Sequence, residues 1–140
     1  MFFGEFNHSL DAKSRLRLPS KLKTSTNYVV TKGSNECLFV FDKEYFDTEF
    51  MEKLKHIPTF DSAGQKSLRA FMSSCFEVEE DAQGRWVLPQ ALKTYAKIDK
   101  EVVIIGVGNR MEIWAKQVWE NYLSQVDYGE MLNDLAKYDV

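Results

Sequence analysis

The sequence has little cysteine, proline or histidine: two Cys, three Pro and two His in 140 residues. Cys37 and Cys75 stand far apart and form no CxxC pair. That excludes the usual zinc and disulfide frameworks and leaves two small apolar thiols in a reducing cytoplasm. His8 and His56 have no nucleophile elbow near them, and Ser73-Ser74-Cys75 has no partner motif, so nucleophilic catalysis has little support. No glycine-rich phosphate loop of the GxGxxG or GxxxxGKS type occurs. No apolar run approaches the roughly 20 residues of a membrane helix. Residues 102–107, Val-Val-Ile-Ile-Gly-Val, suffice only for a buried strand. The opening Met1-Phe2-Phe3-Gly4-Glu5 lacks a basic stretch before an apolar run, so no signal peptide is expected. The expectation is a cytoplasmic non-enzyme with no cofactor and no metal.

What is present points to a folded chain. The hydrophobic share is 44% and the aromatic share 14%, too high for disorder. The length suits one ordinary domain or two very small ones. A net charge of −3 argues mildly against nucleic acid, although a mean charge does not say where the charges sit.

An internal repeat changes that picture. Residue i matches residue i+70 at nine of the nineteen positions 6–24: Phe6, Asp11, Ala12, Arg15, Leu18, Pro19, Leu22, Lys23 and Thr24. At an offset of 73 the match resumes, with Val29-Val30 on Val102-Val103, Gly33 on Gly106, Phe41 on Trp114 and Lys43 on Lys116. The chain is two copies of one unit. We place them at residues 1–75 and 76–140, each with its closing helices. One unit has too few strands and too little core to stand alone, so the two should form one globule about a pseudo-two-fold axis.

Each copy reads as strand, turn, strand, short helix and hairpin, then helices. The first strands are expected near residues 2–8 and 76–79. The turns are Asp11-Ala-Lys-Ser and Asp81-Ala-Gln-Gly. Gly84 suits a left-handed backbone, and Ser14 in the matching place should strain that turn. Arg15-Leu16-Arg17-Leu18 alternates, which puts both arginines on one strand face. Pro19 and Pro89 end these strands and introduce short helices. The hairpins are Tyr28–Thr31 with Cys37–Phe41, and Val102–Ile105 with Met111–Trp114 around a turn through Gly106–Asn109. Asp42 should cap a helix that Pro58 bounds, and a second helix should start near Asp61. The apolar stripes of the helices, including Val118, Trp119, Tyr122, Leu123 and Val126, are read first as core and second as a subunit interface.

Charge divides unevenly between the halves. Residues 1–70 carry net +2 and residues 71–140 carry net −5. Lys13, Arg15, Arg17, Lys21, Lys23 and Lys32 are six bases within residues 12–35, with no acid among them. An ordinary solvated face mixes signs. Arginine forks suit phosphate oxygens and guanine edges. Arg15 and Arg17 are therefore candidates for base contact, and Lys13, Lys21 and Lys23 for phosphate contact. An acidic protein surface would also match such a patch. The acids Glu77, Glu79, Glu80 and Asp81 precede the second turn. They lack metal-ligand spacing and a nearby histidine, so a solvated or docking face is favoured over a metal or acid–base site.

The opening Met1-Phe2-Phe3-Gly4, the two motifs Asp11-Ala-Lys-Ser-Arg15-Leu-Arg-Leu-Pro19 and Asp81-Ala-Gln-Gly-Arg85-Trp-Val-Leu-Pro89, and the duplication itself resemble the MraZ family of bacterial transcriptional regulators over essentially the whole chain. Ser14 departs from the family's usual glycine. The resemblance implies an α+β fold: a tandem pair of swapped-hairpin, AbrB-like units forming one β-barrel-like core with flanking helices. It implies ring-shaped homo-oligomers, often octamers, and binding of double-stranded DNA at direct repeats upstream of the division and cell-wall gene cluster, which includes the family gene itself. It places the DNA-contacting segments at Asp11 and Arg15 and at Asp81 and Arg85, with Lys13 and Arg17 joining by position. A nucleoid-associated regulator is expected. The alternative is a ring-forming scaffold whose basic patch docks a protein partner.

Overall fold

The computed structural model describes residues 1–140. It has a six-stranded antiparallel sheet, a separate two-stranded ribbon and five helices. The strands are β1 (Phe2–Ser9), β2 (Arg15–Arg17), β3 (Asn27–Lys32), β4 (Leu38–Asp42), β5 (Phe76–Glu79), β6 (Arg85–Val87), β7 (Glu101–Gly108) and β8 (Met111–Ala115). In the large sheet the order is β1-β7-β8-β4-β3-β5, while β2 pairs only with β6. Exchanging the copies reverses this order and leaves every pairing intact, which is the expected pseudo-two-fold.

The first strand of each copy pairs with the third strand of the other: β1 with β7, and β5 with β3. The expected barrel does not form. The sheet is open, with β1 and β5 at opposite edges. The three-residue strands β2 and β6 spend their pairing on each other, so they lie apart from the sheet and do not bridge its edges.

Register refines the repeat. Phe6 stands opposite Ile104, and Phe76 opposite Val30. Since Phe6 and Phe76 are equivalent, Val30 corresponds to Ile104, one residue beyond the sequence match. The inward residues Tyr28 and Val30 then answer Val102 and Ile104. A one-residue slip would turn each set to the wrong face. The predicted turn through Gly106–Asn109 also moves: β7 continues to Gly108, because β1 pairs along its whole length. Gly106 lies opposite Gly4, and a Cβ at 106 would come within 2.3 Å of the Phe3 backbone nitrogen. Only glycine lets β1 approach there.

One face of the sheet buries a core drawn from both copies. Equivalent residues recur in it: Leu18 with Leu88, Leu22 with Leu92, Val40 with Ile113. On the other face Val29, Phe41 and Phe46 gather a second cluster with Phe50 and Phe71. Phe46 and Phe50 come from α1, whose first turn Lys43–Tyr45 and last turn Met51–Leu54 are α-helical around a π-helical middle, Phe46–Phe50, and Phe71 comes from α2 (Ser62–Met72). The wider π turn lets both Phe46 and Phe50 meet Phe41, at ring-centroid separations of 5.7 and 4.6 Å. Asp42 caps α1 as expected, and α2 starts next to Asp61 as expected, with Asp61 as its cap; they accept from the Glu44 and Gly64 N–H groups. Ser20–Leu22 forms a short 3₁₀ turn, and its counterpart is α3 (Gln90–Tyr95).

The second copy closes differently. Its helices α4 (Lys116–Ser124) and α5 (Tyr128–Ala136) contain no buried residue. Trp119 and Tyr122 cover Trp114, but Tyr122, Leu123, Val126, Leu132 and Leu135 are each more than 40% exposed. The reading of this stripe as core therefore holds only for its first turn, where Val118 packs against the main core and Trp119 against Trp114; the residues beyond it are left uncovered. No helix is long and apolar enough to cross a membrane.

Candidate nucleic-acid interface

The ribbon β2–β6 brings the two duplicated motifs together. Arg15 faces Val87, Leu16 faces Trp86 and Arg17 faces Arg85. Residues directly opposite in an antiparallel pair share a face. Leu16 and Trp86 point inward, at 0% and 2% exposure. Arg15, Arg17, Arg85 and Val87 thus share the outward face. The alternation in Arg15–Leu18 made this legible for the first copy. The meeting of Arg17 with Arg85 was not legible, because it depends on pairing between copies.

The turns before each strand are built by aspartate. Asp11 Oδ1 accepts from the Lys13 and Arg15 backbone N–H groups, both at 2.9 Å, and its Oδ2 accepts from Arg15 Nε at 2.6 Å. Asp81 repeats this with Gln83, Arg85 and Arg85 Nε. The Arg15 backbone donor is the leading reason that the Asp11 carboxyl titrates below its ordinary range, and the Arg85 backbone donor does the same for Asp81. Both aspartates orient arginines. Asp11 leaves the two terminal nitrogens of Arg15 free. Arg85 is more committed: it pairs with Asp81 at 3.2 Å and lies 3.9 Å from Asp11. Arg17 is exposed and has no ion pair.

The two turns differ at two equivalent positions, Lys13 against Gln83 and Ser14 against Gly84. Gly84 has φ +76° and Ser14 has φ +57°, so serine occupies a left-handed backbone that favours glycine. Each copy's lysine then crosses to the other copy's turn. Lys93 Nζ donates to Ser14 Oγ at 2.8 Å. Lys23, facing Gly84, finds no hydroxyl and pairs with Glu80 at 2.9 Å. The Glu80 side chain is only 3% exposed, and its Oε1 has no hydrogen-bond partner. Its equivalent in the first copy is the core residue Leu10. Two expectations change here. Lys23 is tethered within the protein, and Glu80 is not part of a solvated acidic face, although Glu77, Glu79 and Asp81 are exposed.

Lys13 and Lys21 are exposed and have no ion pair. Beside them opens a cleft of about 660 Å³, lined by His8, Arg17, Lys21 and Lys23 with Gln83 and Gly84 of the other copy. His8 is the residue that sequence reasoning missed. The signal was available: the repeat equates His8 with Val78, an unlike pair within a well-matched block. No group of three or more His, Cys, Asp or Glu side chains is arranged to hold a metal ion. Burial raises the Cys37 thiol to about 12, with the Glu112 carboxylate adding to the effect, and burial also raises Cys75, so neither is poised as a nucleophile.

Residues 1–69 and 71–134 match the family described as "MraZ protein, putative antitoxin-like". A relative from Carboxydothermus hydrogenoformans, named "Transcriptional regulator MraZ", is 41% identical over 99% of both chains. A protein of the same name from Desulforamulus reducens is 41% identical over 91% of this chain and 90% of its own. A third, from Natranaerobius thermophilus, is 38% identical over the full length of both.

Proposed function

Because the chain belongs to the MraZ family, we propose that it is a sequence-specific DNA-binding transcriptional regulator whose β2–β6 ribbon enters a groove of DNA. The observation that carries this is the outward face of the ribbon, where Arg15, Arg17 and Arg85 stand over an inward pair, Leu16 and Trp86. A two-stranded ribbon fits the major groove, where arginine forks read guanine edges. In this reading Arg15 and Arg17 meet bases. Lys13 and Lys21 meet phosphates, Lys23 is shared between phosphate and Glu80, Asp11 holds Arg15, and Asp81 holds Arg85 at the same face.

The finer reading is of two swapped-hairpin repeats, residues 1–75 and 76–140, acting as one globule. Several such globules would assemble into a homo-oligomeric ring, an octamer by family resemblance, on direct repeats upstream of the division and cell-wall genes and of its own gene. The regulator would then be cytoplasmic and associated with the nucleoid. The exposed apolar surface of α4 and α5 supports assembly. An oligomer multiplies a modest site through effective concentration. Gel retardation of the chain's own upstream DNA, against a scrambled control at several salt concentrations, tests the reading. Selective, salt-sensitive retardation is expected. Equal retardation of both fragments, or none, overturns it in favour of a scaffold whose basic patch docks protein.

A further inference from the structure

We propose that His8, Arg17 and Lys21 form a seat for a single phosphodiester group of DNA, on one side only of the β2–β6 ribbon. The proposal rests on the DNA-binding reading above and deepens it. The cleft that these residues line is open to solvent, and no carboxylate lines it. Arg17 and Lys21 have no ion pair, and His8 has no side-chain hydrogen bond. Lys23 closes the cleft at its inner side, where Glu80 behind it neutralises its charge. Gly84, of the other copy, also lines the cleft.

The pseudo-two-fold supplies an internal control. The same fold builds an equivalent place on the other side of the ribbon, where His8, Arg17 and Lys21 are replaced by Val78, Val87 and Ala91. The second side folds without those three groups, so the fold does not require them on the first. Three donors around one acid-free cleft, spared from intramolecular pairing, match a phosphate whose oxygens need several donors at once. The cleft is also continuous with the arginine face through Arg17, which belongs to both. A base contact and a phosphate contact at one arginine's position would fix the ribbon's register along the strand.

The test scans one neutral methylphosphonate along each strand of the retarded DNA, using the full-length chain and its variants Lys21→Ala, His8→Ala and, as a second-side control, Ala91→Ser. One backbone position should weaken the unaltered protein's binding about tenfold and Lys21→Ala binding by markedly less, with no such difference at other positions. Lys21→Ala should also lower the salt slope by about one unit. His8→Ala should weaken binding several-fold with the circular dichroism spectrum retained, and Ala91→Ser should bind as the unaltered chain does. Additive losses at every position, or an unchanged salt slope in Lys21→Ala, overturn the seat while selective DNA binding stands. If the unaltered chain retards no DNA, the seat and the underlying reading fall together.

Discussion

Arg17 and Arg85, one from each copy, stand directly opposite each other on the same face of the two-stranded ribbon. Like charges so placed repel. Arg85 is compensated by Asp81 and by the more distant Asp11. Arg17 has no counter-charge in the chain. An anion at this face would relieve the repulsion, so the ribbon is folded in a charge state that an anionic ligand completes.

Replacing Arg17 with alanine should therefore separate binding from stability. The unfolding free energy from urea titration should stay within about 0.5 kcal/mol of the unaltered chain, as for other exposed sites. Selective DNA affinity should fall by about 1–3 kcal/mol if the fork reads a base. Arg15→Ala should lose both, because it also removes the partner of Asp11. Equal stability losses in the two variants would contradict this division.

Glu80→Leu restores in the second copy the residue type that the first copy carries at Leu10. A buried ion pair is often neutral or unfavourable against a well-packed hydrophobe. Lys23 is about a third exposed and can turn to water. Stability should hold or rise by about 1 kcal/mol in urea titration. DNA binding should tighten at low salt, with a steeper salt dependence, because Lys23 is released. A weaker, shallower response would mean that Glu80 positions Lys23 for binding.

The two turn aspartates make a pH prediction. Both carboxyls titrate below their ordinary value in the folded chain. A depressed folded value means that the unfolded state binds protons first as pH falls. Their contribution is complete above the ordinary carboxylate value of about 4 and is lost as pH drops through the lower folded values. Asp42 acts in the same direction: burial opposes the shift, but donation from the Thr24 hydroxyl and the Glu44 N–H outweighs it. Urea midpoints measured between about pH 6 and about pH 3 should decline for the unaltered chain. The decline should be shallower in Asp11→Asn/Asp81→Asn.

Gly106→Ala should loosen the sheet at one edge. Its methyl group would meet the Phe2 and Phe3 backbone, which has no free rotamer to withdraw. A loss of about 1–3 kcal/mol is expected, as for other overpacked sites. Amide exchange should accelerate at residues 2–5 before it does elsewhere in the sheet.

Much of this was legible from the residues alone. Alternation announced the arginine face, Asp42 and Asp61 announced their helices, and the duplicated Asp–Arg motif announced the pseudo-two-fold. The illegible parts share a cause: they depend on what one copy does to the other. Nothing local distinguishes Glu80 from its exposed neighbours Glu77 and Glu79. Only pairing of Glu80 N with Thr26 O, which brings it beside Lys23, explains its burial. Similarly, Gly106 matches a turn glycine in the first copy, and its place within a strand follows from the length of β1. The exposed stripe of α4 has the same periodicity as a buried one, since periodicity marks an apolar face without saying what covers it.

The exchange of β1 and β5 has a consequence for how such a chain can change. Two identical chains sharing this architecture would express every substitution twice, once in each half. Here the halves are held together by each other's outer strands yet encoded separately. Ser14 and Gly84, Leu10 and Glu80, or Arg17 and Val87 can therefore differ without loss of the shared frame. The chain has a head and a tail where a true dimer would have none, so any linear partner meets an oriented surface.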